Sequence, residues 1–492
     1  MVLSAFTHFW NPTGFPALYF DEGIYMRRAM HVINYQGPQE ESTFYDHPYF
    51  GQLFLAGVFR IIAYPHLLIT SSIVDLGHII EMLYFVPRIL MGTLAVVDTF
   101  IIYKISEYCY NRKVALISSV LFAVMPSTIM LRWILLDSIE LTLLLLSLLF
   151  AICTGNSKNN YNNKNKTHLT ILLSGIFMGL AIFTKIPAFT MIPAVSFIIY
   201  RQNHDKHAIT SLRLWFIPVI LVFLIWPAYS ISVGTFNFFT DGVLWQTHRE
   251  SQPLFNSINM FFKDDPVLLI TGIAGIFFAI MKKNFLPFLW AFPLMIFLYF
   301  IGYVSLYHLI PLLPSFCIAA AILIEWLANK ISKNEIQKIS LPFVITSGIC
   351  IVGFVSTSIL VTTNANFSSF KAAAFIVQYL ENDNQRSIYN NNSRVSIIGD
   401  AFYLWIPQYV FHLDHDYKIY YDKTPYKTER VLLIADPGLI KAMSRNDLAA
   451  KQIHKIYDAS NKINLATFQH NANKDSRISI YEYNTNNDVQ GK

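Results

Sequence analysis

The chain has 492 residues, of which 54% are hydrophobic and only 14% are charged. This is more apolar surface than the core of a soluble domain needs, so much of it must face lipid. The net charge of +6 does not indicate a nucleic-acid partner, because no basic stripe alternates with aromatic residues that could stack on bases. The composition therefore predicts a polytopic membrane protein.

The first 78 residues are predicted to form a loop on the outer face of the membrane. They contain two acidic motifs, YFDEGIYMRRAMHV with Asp21 and Glu22, and FYDHPYFGQLFLAG with Asp46 and His47. The segment 49–70 is apolar enough to compete as a membrane span, but it holds Arg60, Pro65 and His66. We therefore expect it to form a helix that lies in the membrane interface.

Residues 79–362 are predicted to form a transmembrane bundle of about ten spans. A span takes roughly 20 helical residues, because the hydrocarbon layer is about 30 Å thick. The predicted spans are 79–103, 114–131, 135–153, 169–184, 187–200, 213–233, 266–281, 285–303, 308–327 and 340–361.

Lysine and arginine concentrate in alternate loops of this bundle, for example at Lys104, Arg112, Lys282 and Lys330. Basic loops favour the cytoplasmic side. The loop 1–78, the loop 234–265 and residues 363–492 are therefore expected on the extracytoplasmic face. A chain of this kind suits a plasma membrane.

The apolar pattern changes after residue 362. The helix-like stretch SSFKAAAFIVQYLEN is followed by short β-like runs (RVSIIGD, YKIYY, RVLLIAD and RISIYEY) and by one helical stretch, PGLIKAMSRNDLAAKQIHKIY. Residues 363–492 are therefore predicted to be a small extracytoplasmic α/β domain that ends in a polar tail.

With these motifs in order, the sequence resembles GT-C type glycosyltransferases, in particular the protein O-mannosyltransferases (the dolichyl-phosphate-mannose-protein mannosyltransferase family) and the aminoarabinose transferases of lipid A. The resemblance covers most of residues 17–320. Besides the two acidic motifs, it rests on four segments: PRILMGTLAVVDTFIIY at 87–103, LLDSIELTLLLLSLLF at 135–150, GIFMGLAIFTKIPAF at 175–189 and YHLIPLLP at 307–314.

The resemblance implies an all-α polytopic membrane bundle of GT-C type with a small C-terminal α/β domain. It also implies an inverting enzyme that moves a sugar, with mannose as the first candidate, from a polyprenyl or dolichyl phosphate to a protein, lipid or glycan acceptor. The partners are then this lipid donor, membrane lipids and the acceptor. The family has a membrane helix before the acidic pair, whereas only 20 residues precede Asp21 here, so either the true start lies upstream or the chain begins on the outer face.

The family motifs also suggest roles for single residues. Asp21 matches the catalytic base, with Glu22 beside it; the structural alternative for this pair is a helix cap. Arg88 and His47 stand where the family carries an Arg and a His or Lys, and together with Lys185 they are expected to hold the donor phosphate. For Arg88 and Lys185 a further reason is that a cation in or near a span needs an anionic partner. For Arg88 and Lys185 the alternative is snorkelling to the interface. For His47 the alternatives are local hydrogen bonds or a divalent metal held together with Asp46 and Glu22; no other cofactor is predicted.

Weaker candidates for substrate binding are Asp46, Asp137, His248, Arg249, Tyr303, Tyr307 and His308. Asp137 matches a Leu-Asp element of the family, but an ion pair with Arg132 is the preferred interpretation. A solvated loop is preferred for His248 and Arg249, which lie near Trp245 and Glu250. Interfacial anchoring is preferred for Tyr303, Tyr307 and His308.

Two other classes of function compete with a transferase. A transporter or flippase of a lipid-linked sugar would also need an arginine near lipid phosphate, but transporters gather ionisable residues near the bilayer midplane. The predicted spans are nearly free of Asp, Glu, Lys and Arg in their middles. A receptor or scaffold would leave the charges of the outer face without a role.

Overall fold

The structure is a computed structural model of the chain. It describes residues 1–38, 47–69, 75–156, 164–203, 208–247, 249, 252–332, 334–387, 394–425, 428–445, 447–469 and 477–485. The α-helices are α1 (Val2–Phe9), α2 (Phe20–Ile33), α3 (Phe50–Ile61), α4 (His66–Ile69), α5 (Leu76–Cys109), α6 (Arg112–Val124), α7 (Leu136–Asn156), α8 (Lys164–Thr184), α9 (Ile192–Gln202), α10 (Ala208–Ser232), α11 (Phe236–Thr247), α12 (Leu254–Asp264), α13 (Pro266–Met281), α14 (Leu286–Ile301), α15 (Leu313–Ile331), α16 (Glu335–Val361), α17 (Phe367–Ser387), α18 (Ala401–Trp405), α19 (Pro437–Met443) and α20 (Leu448–Tyr457).

Short 3₁₀ segments at Pro126–Arg132, Ile186–Met191 and Leu306–Leu312 and a π-helical turn at Ile406–Val410 complete the helical elements described. The chain forms two compact units. The membrane unit contains Met1–Trp10, Gln39–Phe54 and Ile89–Val361, and the sheet unit contains Asn11–Pro38, Leu55–Arg88 and Thr362–Lys492.

Six helical segments of the described residues are long and apolar enough to cross a membrane. They are Leu76–Cys109, Leu136–Gly155, Lys166–Thr184, Ala208–Ser232, Leu306–Ile331 and Ser340–Val361. Two sharply bent pairs, α6 with Pro126–Arg132 and α12 with α13, raise the number to eight if each pair is one span. Length and composition thus confirm a bundle of many apolar helices.

Two other predicted spans fall on shorter helices, outside the six long segments and the two bent pairs. The span predicted at 187–200 is a 3₁₀ segment followed by α9, because Pro187 and Pro193 each stand near a helix start. The span predicted at 285–303 is α14, which has 16 residues. The interfacial segment 49–70 contains α3, whose 12 residues are also fewer than a perpendicular span requires.

Small residues let helices of the membrane unit approach closely. A Cβ atom added to Gly275 in α13 would lie 2.3 Å from the carbonyl oxygen of Ala319 in α15. One added to Gly175 in α8 would lie 2.4 Å from the carbonyl oxygen of Trp215 in α10. Such close contacts replace the hydrophobic driving force, which is weak between helices in lipid.

The sheet unit contains a five-stranded sheet formed by β1 (Val395–Gly399), β2 (Asp416–Ile419), β3 (Arg430–Ala435), β4 (Ile463–Phe468) and β5 (Ile478–Asn484). The strand order is β2-β1-β3-β5-β4. Strand β1 is parallel to β2 and β3, whereas β5 is antiparallel to β3 and β4. Ile398, Val431, Leu433, Ile453 and Ile456 contribute to a core on one face.

The four predicted β-like runs correspond to β1, β2, β3 and β5, so these predictions are confirmed. Strand β4 was not predicted, because its sequence INLATF is mostly exposed or half-buried and shows a weak apolar alternation. The predicted helix at 437–457 is divided into α19 and α20. Asp447 begins the second helix by accepting a hydrogen bond from the backbone N–H of Ala450 at 2.9 Å.

Candidate functional site

In the sheet unit, helix α2 carries Asp21 and Glu22 in its first turn. Glu22 caps this helix, because its Oε2 accepts a hydrogen bond from the backbone N–H of Tyr19 at 2.9 Å. Glu22 is fully buried, whereas Asp21 is half-buried. The two neighbouring carboxylates therefore occupy different environments, and the helix-cap alternative describes Glu22.

Arg88 binds Glu22 through two parallel hydrogen bonds. Its Nε donates to Oε1 at 3.0 Å, and its Nη2 donates to Oε2 at 2.7 Å. Its Nη1 donates to the carbonyl oxygens of Pro12 and Pro16, both at 2.9 Å. These contacts use four of the five N–H donors of a guanidinium group, and the side chain has no exposed surface.

This arrangement differs from two expectations drawn from the sequence. Arg88 was expected to hold the donor phosphate, but its guanidinium is closed off by Glu22 and by the Pro12–Pro16 segment. Glu22 was expected to be catalytic together with Asp21, but both of its carboxylate oxygens accept hydrogen bonds from Arg88. In this structure the pair supports the beginning of α2, and Asp21 is the carboxylate of the motif that retains exposure.

Asn366 is a supporting residue that sequence reasoning missed. Its Nδ2 donates to the carbonyl oxygens of Thr13 at 2.7 Å and Pro16 at 2.9 Å, and its Oδ1 accepts from the backbone N–H of Leu18 at 2.8 Å. This buried amide fixes the segment that leads into α2. A single Asn before a helix carries no sequence signal for such a distant contact.

In the membrane unit, Lys185 forms a buried ion pair with Asp137. Its Nζ lies 2.7 Å from each carboxylate oxygen, and both side chains are nearly inaccessible. The anionic partner expected for Lys185 is thus a residue of α7, and the snorkelling alternative is wrong. The predicted pair of Asp137 with Arg132 is also wrong, because Arg132 donates to the carbonyl oxygen of Trp10 while Asp137 binds Lys185.

Aromatic and histidine side chains surround this ion pair. The Nζ of Lys185 lies 5.0 Å from the centroid of the Tyr307 ring, a cation–π distance. The ring of Tyr307 lies 4.5 Å from that of His308. The Nδ1 of His308 accepts a hydrogen bond from the backbone N–H of Ser305 at 3.0 Å, which leaves Nε2 as the protonated ring nitrogen of the neutral form.

Arg249 stacks on two aromatic rings of the same unit. Its guanidinium carbon lies 3.8 Å from the centroid of Tyr303 and 4.7 Å from that of Trp245. Gln252 pairs with the backbone around Tyr303, since its N–H donates to the carbonyl oxygen of Gly302 at 2.9 Å. Arg249 and Gln252 therefore both contact residues that directly follow α14.

His47 lies near the group formed by Lys185, Arg249 and His308. Two positions later, Tyr49 is held by edge contacts with the rings of Phe183, Trp226 and Tyr229. His47, Lys185 and Arg249 all lie close enough to His308 to act on it electrostatically. The structure thus brings together His47, Asp137, Lys185, Arg249, Tyr303, Tyr307 and His308 in the membrane unit. Asp46, His248 and Glu250 lie outside the described residues.

The suggested metal site does not fit the part of the chain that the structure describes. There, no three side chains of His, Cys, Asp or Glu approach closely enough to hold a metal ion. Glu22, one of the three ligands suggested for it, is saturated by Arg88 and by the Tyr19 backbone.

Comparisons with known proteins agree with this architecture. Residues 1–231 match the sequence model of the dolichyl-phosphate-mannose-protein mannosyltransferase family. No curated protein matches the sequence. The fold is similar to that of ArnT from Cupriavidus metallidurans bound to undecaprenyl phosphate, with a TM-score of 0.60 and 11% identity over 98% of this chain and 96% of that chain.

The fold is also similar to that of the archaeal oligosaccharyltransferase AglB from Archaeoglobus fulgidus in complex with an inhibitory peptide and a dolichol-phosphate. That similarity has a TM-score of 0.56 and 12% identity over 92% of this chain and 71% of that chain. A structure of the Archaeoglobus enzyme tethered to an acceptor peptide gives a TM-score of 0.58 at 12% identity, over 92% and 70% of the two chains. The chain therefore has the GT-C type fold shared by these membrane proteins, and its first 231 residues, slightly less than half of the chain, are similar to the dolichyl-phosphate-mannose-protein mannosyltransferase family.

Proposed function

We propose that the protein is an inverting transferase that moves one sugar from a polyprenyl or dolichyl phosphate to an acceptor hydroxyl. The observation that carries this proposal is the cationic and aromatic cluster of the membrane unit, in which Arg249 stacks on Tyr303 and Lys185 faces Tyr307. Guanidinium and ammonium groups bind phosphate oxygens strongly, and aromatic rings offer a face to a sugar.

Arg249 is the first candidate for contact with the donor phosphate. It is half-buried, so the residue retains some exposed surface. Lys185 is paired with Asp137, so it would support the phosphate site from behind rather than by direct contact. The Nε2 of His308 would be a neutral donor for a phosphate oxygen. These three residues would stabilise the lipid phosphate as it leaves the sugar.

The reaction then consists of a single displacement. The acceptor oxygen forms a bond to the anomeric carbon, the bond from that carbon to the phosphate oxygen breaks, and the bond electrons leave with the phosphate. Asp21 takes the proton of the acceptor hydroxyl as general base. Its neighbour Glu22 cannot share this role without giving up the hydrogen bonds to Arg88.

The proposal also extends to the identity of the sugar and of the acceptor. Mannose is favoured because the matching family is described by dolichyl-phosphate-mannose. A protein hydroxyl is favoured as the acceptor, because the same family acts on proteins and a structural neighbour was solved with a tethered acceptor peptide. The charge asymmetry of the loops favours a reaction on the extracytoplasmic face of the plasma membrane.

The test uses purified protein in nanodiscs with polyprenyl-phosphate mannose labelled in the sugar, and a set of serine- and threonine-containing peptides. We expect labelled peptide, with inverted stereochemistry at the anomeric carbon. Asp21→Asn should lower kcat by about 10²- to 10⁴-fold, the usual contribution of a general base. The exposed Asp75 supplies the control, Asp75→Asn, which should retain full activity.

Two results would contradict the proposal. Full activity of Asp21→Asn would remove the assigned base. Movement of intact labelled donor across liposome membranes, without cleavage of its sugar–phosphate bond, would favour a flippase instead.

A further inference from the structure

The sheet unit contains a second pair of carboxylates, Asp400 and Asp436, which the sequence motifs did not indicate. Asp400 follows β1 and Asp436 follows β3, and these two strands are parallel neighbours. Their carboxyl ends therefore meet at one edge of the sheet. A Cβ atom added to Gly438 would lie 3.1 Å from Oδ2 of Asp400 and 3.1 Å from Oδ1 of Asp436. The two carboxylates thus approach each other across a residue without a side chain.

The members of this pair differ in their hydrogen bonds. Oδ1 of Asp436 accepts from the Tyr420 hydroxyl at 2.8 Å and from the backbone N–H of Leu439 at 3.0 Å. Asp400 is only 7% exposed, and its Oδ1 has no hydrogen-bond partner among the described residues. A buried carboxylate oxygen without a hydrogen bond raises the free energy of the folded state, so such oxygens are rare in folded proteins.

Helix α2 places Asp21 close to this pair. A Cβ atom added to Gly23 would lie 2.2 Å from the backbone nitrogen of Phe402, so the backbones of α2 and α18 touch two residues after Asp21 and two after Asp400. One residue before Asp21, the ring of Phe20 lies 5.4 Å from that of Tyr421. The charge of Asp21 is close enough to act on Asp400.

Burial and mutual repulsion favour a neutral Asp400. Burial, followed by the charge of Asp436, raises the pKa of Asp400 well above its usual range, and Asp21 adds to this effect. Burial raises the pKa of Asp436 to about 6, against the opposing hydrogen bond from Tyr420. The pair therefore retains a proton on Asp400 to higher pH than an ordinary aspartate would, although backbone hydrogen bonds from Ala401 and Phe402 oppose this shift.

The other titratable groups near Asp400 are tyrosines of the packed elements. The ionised form of Asp400 would interact electrostatically with Tyr84 of α5, Tyr403 of α18 and Tyr420 after β2. Burial raises the pKa of Tyr403 and Tyr420 well above 10, so both hydroxyls remain uncharged at neutral pH. Among these groups, Asp21 and Asp436 bring the negative charges that act on Asp400.

We propose that Asp400, held against Asp436, is a positioning residue for Asp21. While the carboxyl group of Asp400 is neutral, it does not repel the negative charge that Asp21 presents to the acceptor. Once Asp400 ionises, the like charges repel each other and the Asp21 side chain leaves its reactive position. The inference rests on the proposed role of Asp21 as general base.

This arrangement predicts an alkaline limit of activity, because activity should fall as pH rises through the raised pKa of Asp400. Asp400→Asn keeps a neutral group of the same shape, so activity at neutral pH should remain and the alkaline limit should move to higher pH or disappear. Asp436→Asn removes a repelling charge and lowers the pKa of Asp400. Its alkaline limit should move to lower pH, by about one pH unit for carboxylates coupled this closely.

The experiment measures kcat/KM against pH for the full-length protein in nanodiscs with labelled donor and peptide acceptor. It compares wild type, Asp400→Asn, Asp436→Asn and the exposed control Asp458→Asn. Opposite shifts of the alkaline limit in the two pair variants support the proposal, and the control should match wild type. An equal loss of activity at every pH in Asp400→Asn, with no shift in Asp436→Asn, would show a merely structural role and overturn it.

The two proposals fail separately. If Asp21→Asn is inactive while both pair variants have the wild-type pH profile, the positioning role is lost and the general base stands. If Asp21→Asn is fully active, the general base is lost whatever the pair variants do, and the positioning role is lost with it.

Discussion

The carboxylate of Glu22 and the guanidinium of Arg88 form a two-point ion pair in which neither side chain has any exposed surface. Glu22 also accepts a hydrogen bond from the backbone N–H of Tyr19 at the start of α2, and Arg88 also holds two proline carbonyls. The pair therefore joins the beginning of α2 to the preceding segment. This rigid support leaves the neighbouring Asp21 on a fixed backbone.

Arg88→Met should destabilise the protein strongly, because it leaves the Glu22 carboxylate buried and unpaired. Removing one partner of a buried ion pair costs about 3–5 kcal/mol. Thermal unfolding in nanodiscs, followed by intrinsic fluorescence, should show a large fall in Tm. The control is Arg394→Met, which breaks an exposed pair with Asp414 that is worth at most about 1 kcal/mol. Equal falls in Tm for the two variants would contradict this account.

Much of the fold could be predicted from apolar length and β-like alternation alone. The long spans and four of the five strands follow from local sequence patterns, namely long apolar runs for the spans and short apolar β-like runs for the strands. The partners of the charged residues could not be predicted in this way. Lys185 pairs with Asp137, which is 48 positions away, and Arg88 pairs with Glu22, which is 66 positions away.

In the candidate site, too, the sequence indicated some of the residues but not their partners. The family motifs indicated Asp21, and Lys185 stood out because ionisable residues beside apolar spans are rare, whereas interfacial anchoring was the preferred interpretation of His308. They did not show that Arg88 would be enclosed, since a guanidinium has the same sequence signature whether it meets a phosphate or a carboxylate. They also did not indicate Asp400 and Asp436, because an Asp after a buried strand is a common helix cap.

Asp137→Asn should destabilise the membrane unit by leaving the Lys185 ammonium buried without its anion, at a cost of about 3–5 kcal/mol. Lys185→Met should cost a similar amount, because it leaves the Asp137 carboxylate buried without its cation. The double variant should be more stable than the sum of the two losses predicts. A double-mutant cycle on Tm and unfolding free energy measures this coupling. Simple additivity would show that the two side chains do not act as a pair.

Arg249→Gln should weaken donor binding. A hydrogen bond to a charged group contributes about 1.5–3 kcal/mol, so KM for the lipid donor should rise by about 10- to 100-fold. The KM for the acceptor peptide should change little. Higher salt should reduce the difference in donor KM between Arg249→Gln and wild type, because it screens the charge of Arg249. Arg213→Gln removes an exposed arginine of α10 and serves as the matched control. An unchanged donor KM in Arg249→Gln would exclude Arg249 from phosphate binding.

Asp436→Asn should stabilise the protein at neutral pH but not in acid. Because burial raises the pKa of Asp436 from 3.8 to about 6, the folded state binds more protons than the unfolded state between these values. Wild-type stability should therefore fall as pH rises through this window, by about 3 kcal/mol from this group. Asparagine can still accept the hydrogen bonds of Tyr420 and Leu439. Chemical unfolding across this pH range should show the slope in wild type and a smaller slope in the variant; equal slopes would contradict the prediction.

Gly23→Ala should disturb the contact between α2 and α18. The added Cβ would lie 2.2 Å from the backbone nitrogen of Phe402, so one of the two helices must move. Overpacking of this kind costs about 1–3 kcal/mol, and it should also lower kcat because it displaces Asp21. In Gly57→Ala, by contrast, the Cβ meets nothing within 4 Å on the exposed face of α3, and alanine should stabilise that helix by about 0.5–1 kcal/mol. A lower Tm and a lower kcat in Gly23→Ala, with a higher Tm and an unchanged kcat in Gly57→Ala, would show that the backbone contact with α18 sets the position of Asp21. A stable and fully active Gly23→Ala would refute this.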